Sequence, residues 1–460
     1  MTGNGRQDLP SVEALAQFLE QQRWFSGSAT PPAVTDVRSI ARLAEDPAVD
    51  IVLVTASGGN SDAVYHLPLE RRADQPDRLA HARVGDADEE DPATFHTFYD
   101  ALHDRDVTGL WPELIARGAT IGDVTFHPVE HPEGSQIVLD RTSIVLTGEQ
   151  SNTTLAFGDA MVLKVYRRVS PGINPDVEIH LGLDRVGCPH VAAPLGWVDS
   201  PDGVLAFLSE YLVGGSQGWE SAQVSVRDLF MEGDLHPSDV GGDFAGEAER
   251  LGQVTAEVHA SLREAFGTET LDADGLRSTA EAMRQRLAST AAEVPALAPY
   301  VKTLGRAFDD LESDAGNRSI DLQRVHGDFH LGQAMRTPSG WKLLDFEGEP
   351  EADPESRRLP DTPLRDVAGM LRSFDYAARL VLLDHPGDTQ RAYRASEWVD
   401  HNSDAFCSGY AAASGTDPRE DAVLLRALEI DKAIYEVRYE SRLRPSWLPI
   451  PMQGIERLAG

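Results

Sequence analysis

Cysteine is almost missing from this chain: Cys188 and Cys407 are the two in 460 residues. Two thiols so far apart exclude a disulfide framework and a CxxC-type metal site. Positive charge is also scarce. Lys and Arg number 41 against 75 Asp and Glu, a formal net charge of −34. Such a surface repels nucleic acid and acidic membrane, so neither is an expected partner. A polyanionic nucleotide needs a local cationic pocket here, whereas a cationic substrate is drawn in without one. No apolar run reaches the length of a membrane span. The opening MTGNGRQDLPSVEALAQFL has no basic segment followed by an apolar core. There is no internal repeat and no long low-complexity tract. The expectation is a soluble, cytoplasmic protein, with a monomer favoured and the oligomeric state otherwise open.

What is present is enough for a globular protein of two or three domains, with hydrophobic residues at 41%. GDADEEDP, from Gly85 to Pro92, is acid-dense and ends in proline, so it reads as a boundary. Three parts are expected: a cap over 1–91, an intermediate part over 92–213 and a mostly helical part over 214–460. In the cap, Ser11 can start a helix through Glu20. Ile51–Val54 and Ala63–Leu67 read as strands, with Gly58-Gly59-Asn60 between them. The segment from Phe95 to Leu102 reads as a helix.

Ser143–Leu146, Leu155–Phe157 and Met161–Tyr166 read as strands, with Lys164 near the middle of the last. The first two are joined through the polar stretch 147–154, which includes Ser151, Asn152 and Thr153. Such a loop can lay backbone N–H groups over phosphates, and a lysine on the next strand can reach them. Val204–Leu208 is a buried-looking strand that runs on through Glu210 and Leu212 to Gly214-Gly215. Long amphipathic helices follow, over Glu247–Ala265, Val367–Leu380 and Ala422–Tyr439. His259 reads as a core or capping histidine, and Asp366 as a brace for a loop.

The chain is organised around RVHGDFHLGQAMRTPSGWKLLDFEGEP, from Arg324 to Pro350. Pro338-Ser339-Gly340 marks a turn, and Trp341–Leu344 is a short strand ending at Asp345. A hairpin of this kind brings Asp328, Gln333 and Asp345 to one mouth. Two carboxylates and an amide oxygen suit a hard divalent cation and a hydroxyl to be held. Phosphoryl transfer needs little more than that.

HGDFHLGQ followed by LLDFEGE resembles the catalytic and metal-binding loops of the aminoglycoside-phosphotransferase-like kinases. Within that group the chain is most similar to actinobacterial maltokinases and glucosamine kinases. RWF near the start, RDVAGMLRSFDYAA and DKAIYEVRYESRLRPSWLPIP add to the likeness. The resemblance implies an α+β, bilobal protein-kinase-like fold with an N-terminal α+β cap, and ATP and Mg2+ as cofactors. It implies Asp328 as the residue that orients the acceptor hydroxyl, and Gln333 and Asp345 as metal ligands, with Gln333 standing where the group often has Asn. Lys164 would bind phosphates, paired with Glu178 from the next helix, beneath the 147–154 loop. Backbone groups at Glu210 and Leu212 would take an adenine edge. The C-terminal helix would hold a small-molecule sugar through members of the set Asp431, Tyr435, Glu436, Tyr439 and Glu440. His330 is open between packing the loop and touching substrate.

Two acceptors compete within the resemblance: glucosamine at its 6-hydroxyl and maltose at its anomeric hydroxyl. Ser26-Gly27-Ser28 departs from the usual maltokinase continuation after RWF, and the pocket is rich in carboxylates that suit an ammonium group. Both features favour glucosamine. An aminoglycoside phosphotransferase and a nucleotide-binding pseudokinase are the lesser alternatives.

Overall fold

A computed structural model describes residues 9–25, 32–57, 62–86, 96–131, 134, 136–146, 151–233, 235–316, 318–349, 352 and 355–460. The GGN turn, Ser26-Gly27-Ser28, Phe95 and loop residues 147–150 lie outside them. By contacts the chain divides into two units, one of 1–178 with 192–213 and one of 179–191 with 214–460.

The first unit holds two antiparallel sheets. Helix α1 (Val12–Glu20) starts where Ser11 Oγ accepts from Ala14 N–H at 3.1 Å. Its apolar face, Leu15, Phe18 and Leu19, is buried with Val52, Val54 and Leu67 of the first sheet. That sheet runs β1 (Ala33–Glu45), β2 (Ala48–Ser57), β3 (Asp62–Arg72), then β5 (Thr97–Asp100) and β4 (Arg83–Asp86). Thr97–Asp100 is thus a strand where the sequence suggests helix, followed by one 3-10 turn at Ala101–His103. Pairing to Leu69–Arg72 overrides the local pattern.

Helix α2 (Leu110–Arg117) lies between the sheets in sequence. The second sheet has the order β6 (Thr120–Ile121), β7 (Val124–Pro128), β12 (Pro194–Ser200), β13 (Gly203–Glu210), β10 (Met161–Tyr166), β9 (Asn152–Phe157), β8 (Ser143–Leu146). Arg168–Val169, β11, returns to pair with β3. Helix α3 (Pro175–Arg185) begins in this unit and continues into the other.

In the second unit β14 (Ser216–Gln217), α4 (Gly218–Met231) and α5 (Ala245–Phe266) come first. After them come β15 (Thr268–Leu271), α6 (Ala273–Glu293), α7 (Val301–Ala315) and β16 (Ile320–Gln323). The hairpin β17 (Ala334–Thr337) and β18 (Gly340–Leu343) turns at Pro338-Ser339, as the sequence suggests. Four helices close the chain: α8 (Leu364–Leu382), α9 (Thr389–Ser414), α10 (Ala422–Leu443) and α11 (Pro449–Ala459). One continuous core joins Phe329, Leu331, Trp341 and Phe346 of the loop region to Leu251 and Val258 of α5, Met370 and Phe374 of α8, and Ile434 of α10. The loop region is therefore anchored by apolar burial on the side away from its polar groups. Among the described residues no helix is long and apolar enough to cross a membrane.

Candidate active site

Residues 324–333 leave β16, pass through HGDFH and enter a single 3-10 turn at Leu331–Gln333. Gly327 adopts φ +83°, a conformation open to glycine at little cost. Asp366, at the start of α8 and 2% exposed, fixes the loop backbone. Its two carboxylate oxygens accept the N–H groups of His326 at 2.8 Å and Gly327 at 2.9 Å. His259 of α5 donates to the same carboxylate from Nε2 at 2.9 Å and accepts at Nδ1 from the Tyr410 hydroxyl at 3.0 Å. Both His259 and Asp366 thus hold the places expected of them. A Cβ added to Gly369 would come within 2.6 Å of the Phe329 carbonyl oxygen, so glycine lets α8 press against the loop. His326 in turn donates from Nε2 to Leu344 O at 2.8 Å, tying the loop to the end of β18.

The structure brings Gln333 and Asp345 together, with the Gln333 amide donating to Asp345 Oδ2 at 3.0 Å. Asp345 has φ +62°, a left-handed conformation that strains a non-glycine residue and is met chiefly at turns and functional sites. A carboxylate held beside an amide whose other end is a carbonyl oxygen fits a hard cation such as Mg2+. His330 accepts from Gly332 N–H through Nδ1 at 3.0 Å, so it caps the 3-10 turn.

Asp328 is neighboured by a residue the sequence reading did not single out. Lys432 Nζ lies 2.9 Å from Asp328 Oδ1 and 2.7 Å from Glu349 Oε1. Burial pushes the Asp328 carboxyl up, but Lys432, His330 and His326 outweigh that and hold it at about 2. Burial likewise lowers Lys432, and the two carboxylates more than reverse it, so Lys432 stays charged. The i, i+4 spacing of Lys432 and Glu436 on α10 was the available signal, but it does not reveal a partner 104 positions upstream.

On α10 the expected sugar residues separate into two groups. Asp431 is 1% exposed and paired with Arg286 at 3.2 Å and Arg365 at 3.8 Å. Glu440 is 2% exposed and accepts from Tyr376 Oη at 2.8 Å and Arg444 Nη2 at 2.6 Å. Glu440 is committed on both oxygens inside the protein, whereas Asp431 is paired through Oδ2 and its buried Oδ1 has no hydrogen-bond partner among the described residues. Among the described residues Glu436 accepts from Arg372 at 2.8 Å through Oε2 alone, and its side chain is 12% exposed. Burial pushes its carboxyl up despite Arg372. Tyr435 and Tyr439 stack at a centroid distance of 6.0 Å, half-buried.

The first unit carries the residues expected to meet nucleotide. Asn174 Oδ1 accepts from Asp176 N–H at 2.8 Å at the start of α3. Lys164 Nζ lies 3.2 Å from Asp176 Oδ2, which also accepts from Tyr166 Oη at 3.3 Å. Asp176, on the same helix as Glu178, is thus a carboxylate that meets the strand lysine. Asn152 and Thr153 are buried strand residues rather than loop residues, and the Thr153 hydroxyl accepts from Arg167 at 2.8 Å. Ser151 is exposed just before that strand. Glu210 N–H is used by Ala193 O and Tyr211 N–H by Ala160 O, both at 2.9 Å. Leu212 is the first backbone position beyond those two bonds.

With this geometry in hand, the likenesses to known proteins are specific. Residues 18–104 match the maltokinase N-terminal cap domain. A glucosamine kinase of Streptacidiphilus jiangxiensis is 29% identical over 359 residues, 74% of this chain and 77% of that protein. A glucosamine kinase of Mycolicibacterium smegmatis (strain ATCC 700084 / mc(2)155) is 27% identical over 326 residues, 68% of this chain and 78% of that protein. A solved glucosamine kinase in complex with glucosamine, ADP and inorganic phosphate shares the fold. Its TM-score is 0.67 at 21% identity, and 100% of each chain is covered. A second crystal form of a glucosamine kinase gives 0.68 at 21% identity, over 99% of this chain and 97% of that one. The α+β class, the N-terminal cap and the likeness to the maltokinase and glucosamine kinase group all hold.

Proposed function

We propose that this chain is an ATP- and Mg2+-dependent kinase that phosphorylates glucosamine on its 6-hydroxyl, releasing ADP. One observation carries the reading: an ionised Asp328 on a braced loop, with Gln333 and Asp345 meeting at the end of the same hairpin. The two relatives named glucosamine kinase support the choice of acceptor.

Asp328 orients the acceptor hydroxyl through Oδ2, since Oδ1 is turned to Lys432. A carboxylate held near pKa 2 is a weak base, so its first task is alignment. It takes the proton late, when the loose transition state has already weakened the bond to the leaving group. Gln333 and Asp345 would hold Mg2+, which when bound neutralises charge on the phosphate oxygens. Lys164, fixed by Asp176, binds nucleotide phosphates, and Ser151 adds to their cover. Backbone groups near Glu210 and Leu212, chiefly those of Leu212, take the adenine edge.

Glu436 is our choice for the substrate ammonium. It lies one turn from Lys432 on the same face of α10, a rise of about 5.4 Å. A hexosamine sets its 2-ammonium and 6-hydroxyl on opposite sides of the ring, a span of similar order. Burial that disfavours the Glu436 charge makes an incoming cation more welcome. Tyr435 and Tyr439, stacked on each other and half-buried, form the wall beside it. His330 acts by shaping the loop.

The test is steady-state kinetics of the purified protein with ATP and glucosamine, glucose, maltose or an aminoglycoside. Glucosamine should be turned over well and glucose poorly. Efficient maltose phosphorylation with glucosamine inert would replace this reading with a maltokinase.

A further inference from the structure

Lys432 stands in sequence between residues expected to bind sugar, yet its partners belong to the catalytic loop. Its ammonium lies 2.9 Å from Asp328 Oδ1, 2.7 Å from Glu349 Oε1 and 4.6 Å from the Tyr435 ring centroid. An ammonium has three N–H donors, and these three directions account for them. The side chains of Lys432, Asp328 and Glu349 are 16%, 19% and 20% exposed, so solvent screens the contacts only in part. Lys432 arises from the middle of α10, whose Ala433, Ile434 and Val437 are fully buried. The cation is therefore delivered from a rigid helix rather than from the loop it steadies.

We propose that Lys432 is a positioning residue for phosphoryl transfer, which fixes one oxygen of Asp328 so that the other is aimed at the acceptor hydroxyl. This rests on the kinase reading above. Glu349 acts on Lys432 from the far side and stops the ammonium from leaving with an anionic group. Lys432 also offsets the Asp328 charge where a negatively charged phosphoryl group must approach. An unscreened carboxylate there would repel it. Other titratable or charged groups near the cluster include His330 and His326 from the loop, Glu436 and Asp431 of α10, and Arg365 of α8, which acts on Glu349.

The experiment compares wild type, Lys432→Met, Lys432→Arg and Glu349→Gln with ATP and glucosamine. Lys432→Met should lower kcat by about 100-fold, the scale of one lost electrostatic contact at a reacting centre. KM for both substrates should stay within about threefold, because the contact is not a binding contact. Lys432→Arg, which keeps the charge, should recover at least about tenfold of the lost kcat. Glu349→Gln should cost about tenfold in kcat, since Lys432 keeps its bond to Asp328. A Lys432→Met enzyme with wild-type kcat overturns the proposal. So does a Lys432→Arg enzyme as impaired as Lys432→Met, with both KM values raised.

A double-mutant cycle between Lys432→Met and Asp328→Asn, read by urea denaturation, needs no acceptor. Coupling above about tenfold in the folding equilibrium supports the fixed pair, and coupling below about twofold overturns it. If wild type phosphorylated no sugar, the kinase reading would fall, and this cycle would still decide whether Lys432 holds Asp328.

Discussion

Replacing Asp366 by Asn would change one atom type at the root of the catalytic loop. In the native protein Oδ1 accepts from Gly327 N–H, while Oδ2 accepts from His326 N–H and His259 Nε2. An amide has one carbonyl oxygen. If it takes the Oδ2 place, the NH2 group faces the Gly327 N–H. If it takes the Oδ1 place, the NH2 group faces two donors. Either way a buried donor is left against another donor. Hydrogen bonds to a charged acceptor contribute about 1.5–3 kcal/mol each, and an unsatisfied buried group costs about 1–3 kcal/mol. The expected loss is about 2–4 kcal/mol. At about 1.4 kcal/mol per factor of ten, this is roughly 30- to 1000-fold in the folding equilibrium. Urea denaturation of the helical unit should show a lower midpoint with an unchanged slope. The kinetic consequence follows from geometry. Asp328 is one residue beyond Gly327, and a shift of about 1 Å in a reacting group costs on the order of 100-fold in turnover. Wild-type midpoint and wild-type kcat in the variant would refute the brace and the ionised state on which it depends.

Asp328→Asn should keep nucleotide affinity within about threefold while single-turnover transfer falls by at least about 100-fold, measured by nucleotide titration and rapid quench. Glu436→Gln should lower kcat/KM for glucosamine by about ten- to a few hundredfold and for glucose much less, in steady-state comparison of the two sugars. The Asp328 carboxyl is lowered on folding, from 3.8 to about 2. Its contribution, on the order of 2–3 kcal/mol at about 1.4 kcal/mol per pKa unit, is therefore present above pH ~4 and lost as pH falls toward about 2. Denaturation midpoints of wild type and Lys432→Met across that window should converge at the acid end.

The parts of the site legible in the sequence are those that local chain geometry fixes. HGDFHLGQ, the Pro338-Ser339-Gly340 turn and LLDFEGE lie within one hairpin, so spacing alone places Gln333 beside Asp345. The strand lysine was legible for the same reason, since Lys164 pairs across to Thr154 and Phe207 in a regular ladder. The β1 strand was not, because register shifts at Val34/Asp36, Ser39/Ala41 and Arg42/Ala44 break the two-residue alternation that marks a strand. Asp176 as a partner of Lys164 was not legible, because sequence gives the helix but not its rotation about its axis.

Helix α10 shows where such reading stops. Asp431, Glu436 and Glu440 look alike in sequence, three acids on an amphipathic helix that also carries a buried stripe. What separates them is the arginine each meets. Arg286 comes from α6 and Arg365 and Arg372 from α8, while Arg444 lies one turn beyond Glu440. A carboxylate paired on both oxygens inside the protein, as Glu440 is, holds its neighbours together, and removing a partner there strands a buried charge. Glu436 and Asp431 are each paired on one oxygen, and what separates these two is exposure, 12% of the Glu436 side chain against 2% of Asp431. Lys432 differs from the exposed Lys302 in that its three donor directions are occupied by groups of the loop region and its own helix. Roles on this helix are set by which partners tertiary packing gives each side chain and by how far it stays exposed, and neither has a counterpart in the spacing of the residues along the chain.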